Sequence, residues 1–435
     1  MKTIKFYTAG CKVNQYDTQN IREQYIRAGF KELEDKSPAD AYVINTCTVT
    51  QRADRDSLNF IRRAKQENPR AKIIVTGCLA ELDEYKIKSI AAKGLIVKNK
   101  DKQDFAERTR RFLGGKIIPK PKLRGRFKGI SYFKGHIRAF LKIQDGCDNF
   151  CSYCKVPLVR GAPRSKLLAD IILEARRLVE NGVKEIVLCG ICLGAYGVDL
   201  KPRLSLVDVL DALEEIEGLA RIRLSSIEAG DVSGELISRI VQSKKLCRHL
   251  HIPIQSGDDK VLKMMNRGYK RADYLRLIKK IKIELPFIAI TTDVLVGFPG
   301  EDETNFQNTV NLIKRIVPLK AHIFPYSKRE GTFAATSYCS RELDPVTIKQ
   351  RADYLKNIAG KCSRQYKKQF LNKKMCVLFE GRSKAFADFW EGYTDNYIKV
   401  LVKSGANLEN RLVPARLKKM DGKNLYADNL YADLC

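Results

Sequence analysis

The chain has 435 residues, 44% of them hydrophobic, and a formal net charge of +30 from 80 Lys and Arg against 50 Asp and Glu. That length can bury a large core in two or three domains, and no apolar run reaches the ~18–20 residues of a helical membrane span. The cationic excess attracts polyanions through long-range attraction and counterion release, so nucleic acid is the expected partner class and a membrane is not.

In chain order, Ile4–Thr8 reads as a strand, Asp17–Ala28 as a helix stopped by Gly29, and Ala41–Asn45 as a second strand. Asp54–Glu67 follows as a helix and Lys72–Thr76 as a third strand. Residues 1–114 are thus expected to form a small α/β layer. Residues 115–136 carry Gly, Pro and most of a basic run and read as a linker. No secretory or lipidation signal precedes the first strand, so a cytoplasmic location is expected.

From residue 137 to 367 a longer alternation begins. Its candidate strands are Ala139–Gln144, Glu185–Cys189, Arg221–Ser226, His249–Pro253, Ile288–Val296 and Ala321–Pro325. Helical stretches between them include Leu168–Asn181, Leu206–Glu217, Asp231–Gln242, Arg271–Glu284 and Glu303–Arg315. Six strand–helix units fit an open (β/α)6 barrel, with a doubly wound sheet as the other arrangement. In either, the site lies beyond the carboxyl ends of the strands. Residues 368–435 hold short alternating segments punctuated by glycines, which read as a small β-barrel. A second basic run, Lys361–Lys374, precedes it, and Phe386, Phe389, Trp390, Tyr393 and Tyr397 lie within it. Rings beside cations suit stacking on unpaired bases, although core packing is the commoner use.

Six of the thirteen cysteines carry a pattern. Cys147, Cys151 and Cys154 follow the first barrel strand with gaps of three and two residues. Three thiolates can hold three irons of a [4Fe–4S] cluster, and with no further Cys near in sequence the fourth iron is open to a small molecule. A closed zinc site is the competing reading, but it wants four ligands, and none of the four histidines stands at finger spacing. Cys11, Cys47 and Cys78 each follow a strand of the first region. Parallel strands would gather them at one sheet edge, where Gly10 and Gly77 permit close approach of a second [4Fe–4S] cluster. The remaining cysteines, Cys192 among them, are expected to be structural.

With these motifs in view, the sequence resembles the radical S-adenosylmethionine methylthiotransferases over nearly its whole length. Gly10 to Gln15, Asn45-Thr46-Cys47 and Gly77-Cys78 are similar to the family's N-terminal cluster domain. Ile143 to Cys154, with Pro157, Arg160-Gly161 and Arg164-Ser165, is similar to its central signature. The tail resembles its TRAM domain, a small RNA-binding barrel.

The resemblance implies two [4Fe–4S] clusters and S-adenosylmethionine as cofactors. The cluster on Cys147, Cys151 and Cys154 would reduce S-adenosylmethionine to give a 5′-deoxyadenosyl radical, and the one on Cys11, Cys47 and Cys78 would carry the sulfur. Tyr153, Gly190, Ser226, Glu228 and Gln255 are the expected contacts to the cofactor. Arg160 and Arg164 are expected to meet RNA phosphate or the cofactor carboxylate, and Thr292–Gly300 to form the apolar wall beside adenine.

Gly10 to Asn14, and Phe324 to Ser327 with Arg329, Gly331 and Thr332, look most like the branch that methylthiolates N6-threonylcarbamoyladenosine beside the tRNA anticodon, at position 37. Ala9 and Lys155 depart from the usual apolar pattern. The implied partners are tRNA, an electron donor such as flavodoxin or ferredoxin, and a sulfur donor, with a monomer or weak dimer as the assembly. The alternatives are action on N6-isopentenyladenosine or a ribosomal protein, or a non-catalytic iron–sulfur RNA-binding redox sensor.

Overall fold

The computed structural model describes residues 2–35, 37–114, 129–422 and 424–430. Most of the basic run from Lys116 and the end of the tail lie outside the described residues.

The N-terminal layer is a five-stranded sheet: β1 (Thr3–Thr8), β2 (Lys31–Glu32), β3 (Ala41–Thr46), β4 (Lys72–Gly77) and β5 (Leu95–Ile96), in the order β2-β1-β3-β4-β5. Every neighbouring pair is parallel. All six residues of β3 are buried, as a central parallel strand covered on both faces requires. Helix Gln51–Glu67 is N-capped by Thr50, whose side chain accepts from Ala53 N, a bond worth ~1 kcal/mol. Three strands were expected here; the two extra ones are two-residue edge strands, too short to carry a pattern. The first helix starts at Lys12, five residues earlier than expected.

Six parallel strands build the centre: β6 (Ala139–Lys142), β9 (Glu185–Cys189), β10 (Arg221–Leu224), β11 (His249–His251), β12 (Ala289–Val296) and β13 (Lys320–Pro325). A two-residue hairpin, β7 (Gln144–Asp145) with β8 (Arg164–Ser165), intervenes in sequence. The strands form two three-stranded sheets, β6-β9-β10 and β11-β12-β13. Isolated parallel bridges Ile222↔Leu246 and Ser226↔His251 join them into the expected open barrel. Its core runs from Ile130 and Phe133 through the inner faces of the helices to Leu355 and Cys362. Residues 129–136, read as linker, are packed: Ser131 donates to Glu23, and Asn20 donates to Gly129 O. A 24-residue helix, Pro345–Lys368, not singled out in the sequence, packs on β13 and carries the start of the second basic run.

The chain ends in a closed barrel of β14 (Lys374–Arg382), β15 (Phe389–Thr394), β16 (Lys399–Lys403), β17 (Leu412–Asp421) and β18 (Asn424–Leu430), in the order β14-β15-β16-β18-β17. It is fastened to the central barrel by guanidinium groups. Arg221 donates to Cys376 O and Tyr393 O, and Arg223 to Thr394 O and Asp395 O, while fully buried Glu185 accepts from Arg223 at 2.6 Å. Trp390 is core, its indole N–H bonded to Ser404 O. Of the five rings proposed for base stacking, Phe386 alone is exposed. No described helix is long and apolar enough to cross a membrane.

Candidate active site

Cys11, Cys47 and Cys78 meet at the carboxyl edge of the N-terminal sheet. β1, β3 and β4 are adjacent and in register there, with Thr8 opposite Asn45 and Thr46 opposite Gly77. Gly10 (φ +96°) passes so close to Cys47 that a Cβ on it would lie 2.6 Å from the Cys47 Cβ and Sγ. Asn14 ties the turn together by donating to Ala9 O and Thr46 O, each at 2.9 Å. Burial, with Cys78 and Cys11 nearby, pushes the Cys47 thiol up to about 12. Burial also raises Cys78, while Arg160 and Lys102 oppose it. Burial thus favours the neutral thiol at both positions.

Cys147, Cys151 and Cys154 line one loop between β7 and the short helix Val156–Arg160. The loop closes through Cys147 N to Gly161 O (2.9 Å) and Ser152 N to Met265 O (3.0 Å). Gly146 (φ +80°) makes the turn where a Cβ would meet Ala162 O at 2.0 Å. Arg267 donates to Cys151 Sγ at 3.3 Å, to Tyr269 Oη at 2.9 Å, and pairs with Glu228. Val156 N donates to Cys154 Sγ at 3.4 Å.

Cys192 was expected to be structural, yet it lies 3.8 Å from both Asn149 Nδ2 and Asp231 Oδ2, beside the second thiol set. The interaction between Cys192 and Cys147 lowers the Cys147 thiol to about 7 and raises Cys192. Burial pushes Cys154 up to about 12.

The other expected residues divide. Glu228 reaches the second thiol set through Arg267. Gly190 lies against Gln144, where a Cβ would be 2.9 Å from Oε1, the atom that accepts from Ile191 N and Cys192 N. Ser226 and Gln255 (φ +68°) follow β10 and β11 at the same end of the barrel, with no contact to the thiols among the described residues. Tyr153 is packed edge-on to Phe298, which is fully buried, so this part of the apolar wall is core.

Arg160 is buried and bonds Asp17 (3.1 Å), Asp145 (3.1 Å) and Asn14, which leaves it no exposed face for RNA phosphate. Lys102 and Lys142 complete the network on Asp17. One guanidinium thus joins Asn14, in the turn after Cys11, to Asp145, two residues before Cys147 of the second set.

Among the described residues, no three His, Cys, Asp or Glu side chains stand close enough to share one metal ion. Two all-thiolate donor sets, one of them passed closely by Gly10, suit cubane clusters. A cavity of about 760 Å³ opens inside the barrel below this region, from Lys12 down to Tyr393 and Tyr397 of the closing barrel.

Residues 3–97 match the family model described as Uncharacterized protein family UPF0004, and residues 141–313 match that of the Radical SAM superfamily. The threonylcarbamoyladenosine tRNA methylthiotransferase MtaB of Bacillus subtilis (strain 168) is 38% identical over 429 residues, covering 96% of this chain and 94% of that protein. The chain belongs to the radical SAM tRNA methylthiotransferases. Within this family, the tRNA-2-methylthio-N(6)-dimethylallyladenosine synthase of Clostridium tetani (strain Massachusetts / E88) is also 38% identical, over 90% of this chain and 88% of that protein. The fold resembles that of the radical S-adenosylmethionine methyltransferase TsrM from Kitasatospora setae, with a TM-score of 0.56 at 12% identity over 77% of each chain.

Arg267, Cys192 and Asp231 are the residues that sequence reasoning missed. Their partners lie 116, 43 and 39 positions away, and no local motif joins them.

Proposed function

We propose that this methylthiotransferase converts N6-threonylcarbamoyladenosine at position 37 of tRNA to its 2-methylthio derivative. The observation that supports the reading is Arg160, which ties Asn14, three residues after Cys11, to Asp145, two residues before Cys147. When bound, the two [4Fe–4S] clusters and S-adenosylmethionine supply the radical and sulfur chemistry that an unactivated aromatic C–H bond requires.

The chain's own residues prepare the site. Cys147, Cys151 and Cys154 are the ligands for one cluster, and Cys11, Cys47 and Cys78 for the other. Arg267 holds Glu228 and Cys151 together, which orients the carboxylate for the cofactor's polar groups. Gly190 leaves room beside Gln144 for the methionyl end. Tyr153, Ser226 and Gln255 are the remaining cofactor contacts. Burial favours the neutral form of Cys47, Cys78, Cys151 and Cys154, so loading releases protons.

Residues 1–114 serve as the first cluster domain, 137–367 as the radical barrel, and 368–435 as the RNA-binding module. A flavodoxin or ferredoxin as reductant, a separate sulfur donor, a cytoplasmic location and a monomeric or weakly dimeric state complete the reading.

The test is anaerobic turnover read by nucleoside mass spectrometry. Cys151→Ala should abolish 5′-deoxyadenosine formation. Cys47→Ala should retain it and lose the methylthio product. A normal methylthio yield from Cys47→Ala would refute the role given to the first set.

A further inference from the structure

The barrel cavity is far more cationic than a site for a hydrocarbon-modified base requires. Among the described residues that line it, Asp293 is the only acid, against seven Lys and Arg. Several of these cations are spoken for. Arg138 pairs with Glu380 and Glu185, Arg223 with Glu185, Lys356 with Asp353, and Lys399 with Glu391. Lys12 and Lys320 have no acidic partner within 4 Å among the described residues.

Both ammonium groups line the cavity together with His322. Burial lowers that imidazole to about 4, with Lys320 and, to a smaller extent, Lys12 adding to the shift against the pull of Asp293. On the same wall, His249 is buried with its Nε2 bonded to Thr291 and its Nδ1 without a partner. Unpaired cations and an orphaned imidazole nitrogen lining a cavity of about 760 Å³ describe a pocket for a polar anion.

Two substrates stand open to this family, and they differ in this respect. The threonylcarbamoyl group ends in a carboxylate with a hydroxyl beside it; the dimethylallyl group is hydrocarbon.

Resting on the function proposed above, we propose that Lys12 and Lys320 receive the carboxylate of the threonylcarbamoyl group and so set the substrate specificity of this enzyme. Lys12 is the residue after Cys11, so a carboxylate it holds lies beside the first thiol set. The modified side chain then acts as the handle that seats the base. A hydrocarbon group in the same place would offer neither ammonium group a counter-charge.

The test compares three anticodon stem-loop RNAs on cluster-loaded protein: one with threonylcarbamoyladenosine, one with its neutral methyl ester, and one with dimethylallyladenosine. A charge-assisted contact predicts that the acid binds about tenfold or more tighter than the ester. Lys12→Met with Lys320→Met should bring that ratio near one, and Lys12→Arg should keep it. A purely structural lysine would change all three affinities together and leave the ratio intact. Equal binding of acid and ester by the unaltered protein overturns the proposal, and needs no variant to fold. If the unaltered protein methylthiolates the threonylcarbamoyl RNA and its ester equally well, this inference alone falls. If it modifies only the dimethylallyl RNA, the proposed function falls with it.

Discussion

Arg160 Nη1 donates to Asp17 Oδ2 at 3.1 Å across the seam between the N-terminal layer and the central barrel, with both side chains buried. Asp17 is the acid on which Lys102, Lys142 and Arg160 all converge. Burial alone would raise its carboxyl pKa, yet these three cations hold it well below the usual carboxylate range.

Asp17→Asn leaves Lys142 and Arg160 with Asp145, and leaves buried Lys102 with no acidic partner within 4 Å among the described residues. A loss of about 3–5 kcal/mol is expected in guanidinium unfolding, because the cost is that of buried charge left without its partner. The pH dependence has a defined sign. A depressed folded pKa contributes stability that is present above the unfolded carboxylate value and lost as pH falls below it. The unaltered protein should therefore lose stability more steeply than Asp17→Asn on acidification below about pH 4. Parallel acid limbs would show that Asp17 is not held as described.

Gly10→Ala is expected to strike the first thiol set alone. Its new Cβ would meet Cys47 at 2.6 Å from a backbone conformation that L residues rarely adopt. Bound iron and sulfide should fall by roughly half, the share of one of two [4Fe–4S] clusters. Full iron content in the variant would mean that the turn can yield.

Arg267→Ala removes the donor to Cys151 and unpairs Glu228. Cleavage of S-adenosylmethionine should fall by about tenfold or more, the scale of one lost charge-assisted contact. Arg267→Lys should not restore it, because one ammonium cannot span Cys151, Tyr269 and Glu228 as the guanidinium fork does. Cofactor affinity and cleavage rate, measured separately, check this; rescue by lysine would reduce Arg267 to a point charge.

Arg223→Met should loosen the closing barrel. The change removes the bonds to Thr394 O and Asp395 O, leaves Thr394 O with Tyr397 N as donor, and leaves Glu185 with Arg221 and Arg138, each at 3.7 Å. Limited proteolysis should then cut near residues 368–374 faster than in the unaltered chain. An unchanged digestion rate would show that the other contacts suffice.

Much of this fold was legible because its central strands are buried on both faces. Glu185–Cys189 is entirely buried and reads as an unbroken apolar block apart from its first residue. The start of helix Lys12–Arg27 was hidden because its first turn holds Asn14, polar yet buried and turned to hydrogen bonds with Ala9 O and Thr46 O and not to solvent. An apolar-period reading takes such residues for loop. The two thiol sets were legible because a cluster's ligands recur at short spacings or at strand ends. Arg160, Arg267 and Cys192 were not, since each is defined by a partner that only the folded chain brings near.

The guanidinium clasp between Arg221, Arg223 and the carbonyls of the closing barrel has a geometric consequence. An RNA loop gripped by that barrel cannot slide relative to the thiols, because the two bodies share one set of bonds. The span between grip and reaction centre then works as a ruler, and the nucleotide modified is picked by how far along the loop it lies.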